Sequence, residues 1–234
     1  MLQRRARVSR LLSESFAGFG SFEVQMQPDA WARDWRHPLI QGRTDERRMP
    51  AAARGFLVSF GLPRVVIFEW RNAFEISFTP LEKELVPYNA IIRWGDFYNK
   101  ARHREWSHQL VVGEQEFCNG HASICIHEHD GTVNRLDCEL DKNPKCFVNS
   151  DVELFGKSLL FAQKWSAAVH ANGELPSLGS FETLASELRH ADPRAFEDER
   201  SFWPSLIECV LENPDGDPIE LEITSDPARS RPRF

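Results

Sequence analysis

The sequence predicts an α+β fold: a single domain with a mostly antiparallel or mixed central sheet of about five or six strands and flanking helices. Three observations predict it. Short β-branched and aromatic runs fill the middle of the chain, an Asp130-Gly131 turn joins two of them, and helical periodicity takes over after residue 150. Strands in the middle with helices around them are the α+β pattern. At 234 residues the chain can bury one substantial core, and 41% hydrophobic with 27% charged residues is an ordinary globular balance.

Val8, Leu11, Leu12, Phe16 and Phe19 are spaced for a short amphipathic helix within residues 2 to 19. From Gln27 to Pro50 repeated Pro and Gly indicate irregular connection, with Trp31 and Trp35 anchoring one helical turn onto the core. These first 49 residues are expected to pack on a domain spanning 50–212. After Pro50 a helix is closed by Gly61, and Leu62-Pro63 restarts the chain in extended form. Strands are expected over Val65 to Trp70, Phe74 to Phe78, Ile91 to Trp94 and Gln109 to Val112. Residues 71–73 would turn between the first two.

Asp130-Gly131 suits a type I′ hairpin turn within 123–137. Period two then sets Ile124 and Ile126 on one face, opposite Cys125, His127 and His129. Ser150 and Glu153 have the S-x-x-E spacing of a capping box for a helix that is apolar over most of its circumference from Val152 to Trp165. Gly156 costs that helix about 1 kcal/mol against Ala, so close packing against a strand is expected there. Two further helices, 180–190 and 202–212, are joined by Asp192-Pro193-Arg194-Ala195-Phe196, with Pro204 in a first helical turn. Residues 213–234 form a tail rich in Pro and Arg, expected to be partly disordered.

The net charge of −7 is uneven, because residues 1–54 hold ten Arg and six Asp or Glu, a balance of +4 that leaves −11 for the rest. An acidic body disfavours direct nucleic-acid binding, which needs clustered cations. It favours a basic protein partner. The candidate contacts are Glu114, Glu116, Glu128, Asp130, Glu139, Asp141, Glu197, Asp198 and Glu199.

The odd set of cysteines, 118, 125, 138, 146 and 209, forms no disulfide framework and fits a reducing cytoplasm. Neither a secretory apolar run near the start nor a membrane-spanning stretch occurs in the sequence. Cys118, His121, Cys125, His127 and His129, with Cys138 and Cys146 further on, are the metal-like residues. Their spacing matches no zinc pattern, and three ligands along one strand spread over about 13 Å, so no metal and no cofactor is expected. Ser123 stands where a zinc deaminase needs Glu. Phosphate-loop, dinucleotide and nucleophile-elbow motifs do not occur, and the expectation is a non-enzyme.

Four segments occur in a telling order: A-A-R-G-F-L-V-S-F-G-L-P at 52–63, I-C-I-H-E-H-D-G-T-V at 124–133, F-V-N-S-D-V-E-L-F at 147–155, and D-P-R-A-F with F-W within 192–203. Together they resemble the SUKH superfamily of bacterial immunity proteins, most closely its fourth subgroup, over about residues 50–212. The resemblance implies a one-domain α+β fold and binding of a cognate toxin, often a nuclease or nucleic-acid deaminase. It carries no catalytic residues over. The alternative is a regulatory or scaffold protein of the same fold with a non-toxin partner.

Overall fold

The computed structural model describes residues 27–35, 39–40, 48–68, 74–78, 85–91, 104–117, 120–137, 145–171 and 178–212. The expected helix within 2–19, the turn at 71–73 and the tail from 213 lie outside them.

The fold is α+β, as the sequence pattern predicts. In chain order the elements are α1 (Pro28–Asp34), β1 (Leu39–Ile40), α2 (Ala51–Ser59), β2 (Leu62–Pro63), β3 (Val65–Phe68), β4 (Phe74–Phe78) and α3 (Tyr88–Ile91). There follow β5 (Gln109–Phe117), β6 (Gly120–His127), β7 (Val133–Leu136), β8 (Lys145–Asn149), α4 (Val152–Ala171), α5 (Leu178–Ala191), a 3₁₀ turn (Pro193–Phe196) and α6 (Phe202–Glu212). Strands β3 to β8 make a six-stranded antiparallel sheet in sequence order, and β1 with β2 makes a separate two-stranded ribbon. Each neighbour pair is consecutive in the chain, so no crossover is needed.

One face of the sheet carries the main core. Val66, Phe68, Ile76, Phe78, Ile124, Ile126, Val133 and Val148 pack beneath α4, whose Val152, Phe155, Leu159 and Ala162 are buried with them. Helices α1, α2, α5 and α6 complete that layer through Trp31, Phe56, Leu184 and Trp203. The other face holds a smaller cluster of Val111, Cys125 and Leu136 under Tyr88 and Trp106. Alternation along β5 puts Leu110 and Val112 in the first core and Val111 in the second, and a bulge between Val111 and Gly113 then sets Gly113 opposite Ile124. At Gly113 a Cβ would lie 2.6 Å from the Ser77 carbonyl oxygen, so only glycine fits between β4 and β5.

Several sequence expectations are corrected. Ile91 ends the short helix α3 and is not in a strand, because Val86 and Pro87 bridge to β5 first and the chain then coils over the second core. Gly156 makes room for the rings of Phe56 and Trp31, 3.0 and 3.2 Å from a Cβ placed there, and not for a strand. The β6–β7 hairpin closes through four residues, Glu128 to Gly131, with the His127 amide donating to Thr132 and the Gly131 amide to His127. Only Gly131 has positive φ (77°); Asp130 does not, since its carboxylate accepts from the Thr132 amide at 3.0 Å and fixes a different turn from type I′.

Ser150 does not form the capping box. Its amide and hydroxyl both donate to Asp192, 2.7 and 2.9 Å away, and the α4 cap falls to Asp151, whose Oδ1 accepts from the Leu154 amide at 2.8 Å. Trp31 and Trp35 do anchor α1, packed edge to face at 5.2 Å. No helix among the described residues is long and apolar enough to cross a membrane.

Candidate functional site

Two of the four segments that stand out in the sequence meet in one buried knot. Asn149, at the end of β8, donates to Asp192 (3.0 Å) and Ser158 (3.2 Å) and accepts from the Trp203 indole (3.0 Å). Asp192 also takes both donors of Ser150. Asn149 and Trp203 are fully buried and Asp192 is 2% exposed, so the bonds among them stand away from water, while Ser150 at the edge of the knot is half-buried. The F-V-N-S, D-P-R-A-F and F-W segments are therefore joined by function within the fold: they lock β8, α4, the 3₁₀ turn and α6 together.

Of the candidate contact residues, Glu114 and, by register, Glu116 lie elsewhere, on the sheet face away from the main core. Two register rows cross β3, β4 and β5 there: Val65, Ser77, Glu114 and Ile67, Glu75, Glu116. Neither row holds a Lys or Arg. Glu114 is exposed, and Val65, Ile67, Glu75 and Ser77 are half-buried. Glu75 escaped sequence reasoning because it sits inside a strand where alternation, not charge, is the visible signal. Its register opposite Glu116 is what exposes it as part of an acidic face.

A second polar group gathers at the hairpin tip. Glu128, whose side chain is 11% exposed, accepts from the Arg48 guanidinium through Oε2 (2.8 and 2.6 Å) and from His108 Nδ1 through Oε1 (2.5 Å). Partial burial pushes its carboxyl up, but the hydrogen bonds from His108 and Arg48 prevail and hold it below its ordinary range. Asp130 accepts from the Thr132 amide and hydroxyl and from His127 Nδ1 at 2.9 Å. Burial raises it too, yet these donors bring it to about 2. Both carboxylates thus shape the tip as well as charging it. Arg48 and His108 are distant in sequence from the hairpin, and no local pattern announces them.

Glu197, Asp198 and Glu199 are exposed in the turn before α6, on the helical side of the molecule. Glu139, Asp141, Cys118 and Cys138 lie outside the described residues, as do the side chains of Glu116 and His121. Cys125 is wholly buried in the second core and its thiol is pushed well up by that burial. It is not on a half-exposed strand face. Burial also raises Cys146, to about 11, with Arg135 lowering and Asp198 raising it further. Neither thiol is disposed to act as a nucleophile or a thiolate ligand at neutral pH. On the helical side an apolar cleft of about 430 Å³ opens between α1, α4 and α5, lined by Trp31, Leu154, Phe161 and Leu188. Lys157 and Lys164 at its rim are paired with Glu153 and Asp34.

Against known proteins, the SUKH-4 immunity protein family model matches residues 28–209, which takes in α1, the whole sheet and the Asn149–Asp192–Trp203 knot. The chain belongs to the SUKH-4 immunity protein family. No curated protein and no solved structure gives a match. Membership supports a general immunity role for this SUKH-4 protein, the binding of a toxin.

Proposed function

We propose that this SUKH-4 protein is a non-catalytic, cytoplasmic immunity protein that holds a basic toxin on the outer face of β3, β4 and β5. The toxin is a nuclease or nucleic-acid deaminase, and the acidic face occupies the cationic groove through which it would take its substrate. The observation that carries this reading is the pair of register rows with Glu75, Glu114 and Glu116 and no cation, set beside the aliphatic Val65 and Ile67. Carboxylates there steer a basic partner and the aliphatic side chains supply area to bury. The buried motif residues support a non-catalytic role, because their polar atoms are engaged in hydrogen bonds that hold the fold.

The test is to mix the purified protein with the toxin encoded beside it and follow both complex formation and toxin activity. A stoichiometric complex is expected, with an association rate that falls as salt rises. Glu75→Lys with Glu114→Lys is expected to slow association at least about tenfold at low salt. A tight complex whose rate ignores both salt and the double substitution places docking elsewhere. Absence of any complex at low salt overturns the toxin-binding reading itself.

A further inference from the structure

The tip of the β6–β7 hairpin brings together what the linear spacing separates. His108 stands just before β5, Glu128 and His129 in the hairpin loop, and one ligand atom from each lies within 4.8 Å of the other two. We propose that His108, Glu128 and His129 form a binding site for a divalent transition-metal ion of the zinc class, independent of the toxin-binding face.

Donor chemistry comes first. Two imidazoles and one carboxylate are a donor set that zinc accepts, with a fourth position left to water or to a partner's side chain. Zinc bonds of about 2.0–2.1 Å at near-tetrahedral angles set ligand atoms about 3.3 Å apart. Glu128 Oε1 stands 2.5 Å from His108 Nδ1 and 3.6 Å from His129 Nε2, which brackets that spacing. The ion takes the place of the proton on His108 Nδ1, and the imidazole keeps its hydrogen on Nε2.

The supports are built in. The Glu128 amide donates to the His108 carbonyl at 2.8 Å, so two ligands from different segments are pinned to one another through the backbone. Arg48 holds Oε2 of Glu128 and is itself tied to the Ser107 carbonyl at 2.8 Å, which turns Oε1 toward both histidines. Such outer partners orient a metal carboxylate. Arg48 also brings a positive charge near the ion, balanced locally by Glu128 and Asp130. A hydrogen-bonded clamp of Arg48, Glu128 and His108 needs no further member. Yet His129, 64% exposed, turns Nε2 toward the same carboxylate oxygen beyond hydrogen-bond range. His127, with Nδ1 engaged by Asp130, stands beside the site, its ring centre 5.4 Å from that of His129.

The experiment uses the full chain, stripped with chelator, titrated with zinc by calorimetry and with Co²⁺ by visible absorption. About one ion per chain is expected, with a tetrahedral cobalt spectrum. His129→Ala, at an exposed position, and His108→Ala should each weaken zinc binding at least about tenfold, while His190→Ala, exposed on α5, should leave it unchanged. Far-UV circular dichroism of each variant separates loss of ligand from loss of fold. Failure to bind at about 100 µM zinc, or binding that survives both the His108 and His129 substitutions in folded protein, overturns the proposal.

Discussion

The two faces of the sheet are built from the same strands, yet alternate residues on them do different work. On the helical face Ile76, Ile124, Ile126 and Val133 are fully buried, and the polar Asn149 has its hydrogen bonds met by other buried groups. On the opposite face the row from Ser77 through Glu114 to Ser123 is polar, and only the part under Tyr88 and Trp106 forms a core. A change on the first face must be repacked or repaired. On the second face Ser123 is buried too, but a change at exposed Glu114 or half-buried Glu75 is partly answered by water, so that part of the face can vary to suit a partner without endangering the frame.

The largest effect should follow from cutting the knot beneath the helices. Asp192→Ala would leave Asn149, the Ser150 amide and the Ser150 hydroxyl without their acceptor, at a cost of about 3–5 kcal/mol. Urea unfolding should show it as a lower midpoint at unchanged slope. A loss under about 1 kcal/mol would mean that water repairs the knot and that the two faces differ less than their burial implies.

Next in size is Gly113→Ala on β5. Its Cβ would meet the Ser77 carbonyl oxygen at 2.6 Å and Phe78 Cδ1 at 2.9 Å, so β4 and β5 must separate or the bulge must shift. A destabilisation of about 1–3 kcal/mol is expected, again read by urea unfolding. If the alanine is neutral, the close approach of β4 to β5 is not what holds the register beside Glu75 and Glu114.

How α4 is capped separates local from distant causes. Asp151→Ala should cost about 1 kcal/mol, and Glu153→Ala less than about 0.5 kcal/mol. The reverse order would restore the S-x-x-E box that the sequence suggests. That box is legible in the sequence because its spacing is local, but Ser150 is claimed by Asp192, 42 positions away, and the neighbouring Asp151 takes the cap. The same boundary runs through the rest of the molecule. Strand periodicity and the Asp130-Gly131 turn locate the hairpin, while its four-residue loop depends on where the Asp130 carboxylate finds donors. The Gly156 side of α4 was open to sequence reasoning as a close approach, but not the identity of the rings that approach it. Glu114 is visible as charge, whereas Glu75 and His108 acquire their meaning only from register and from a loop that returns to Arg48 and Glu128.

The smallest effect on stability is expected where the largest effect on binding is proposed. Glu75 and Glu114 belong to rows without a register cation, and the former is only half-buried. Replacing both by Lys removes like charges from one small area and adds flexible side chains that water can solvate, two terms that oppose one another. The net change in unfolding free energy should stay within about 0.5 kcal/mol, while association with the toxin slows. The same protein sample should therefore give a near-native urea midpoint and an altered association rate. Were the double substitution to lower the midpoint as much as Asp192→Ala, the outer face would be part of the structural frame, and a slower association could be put down to unfolding and no longer to lost steering.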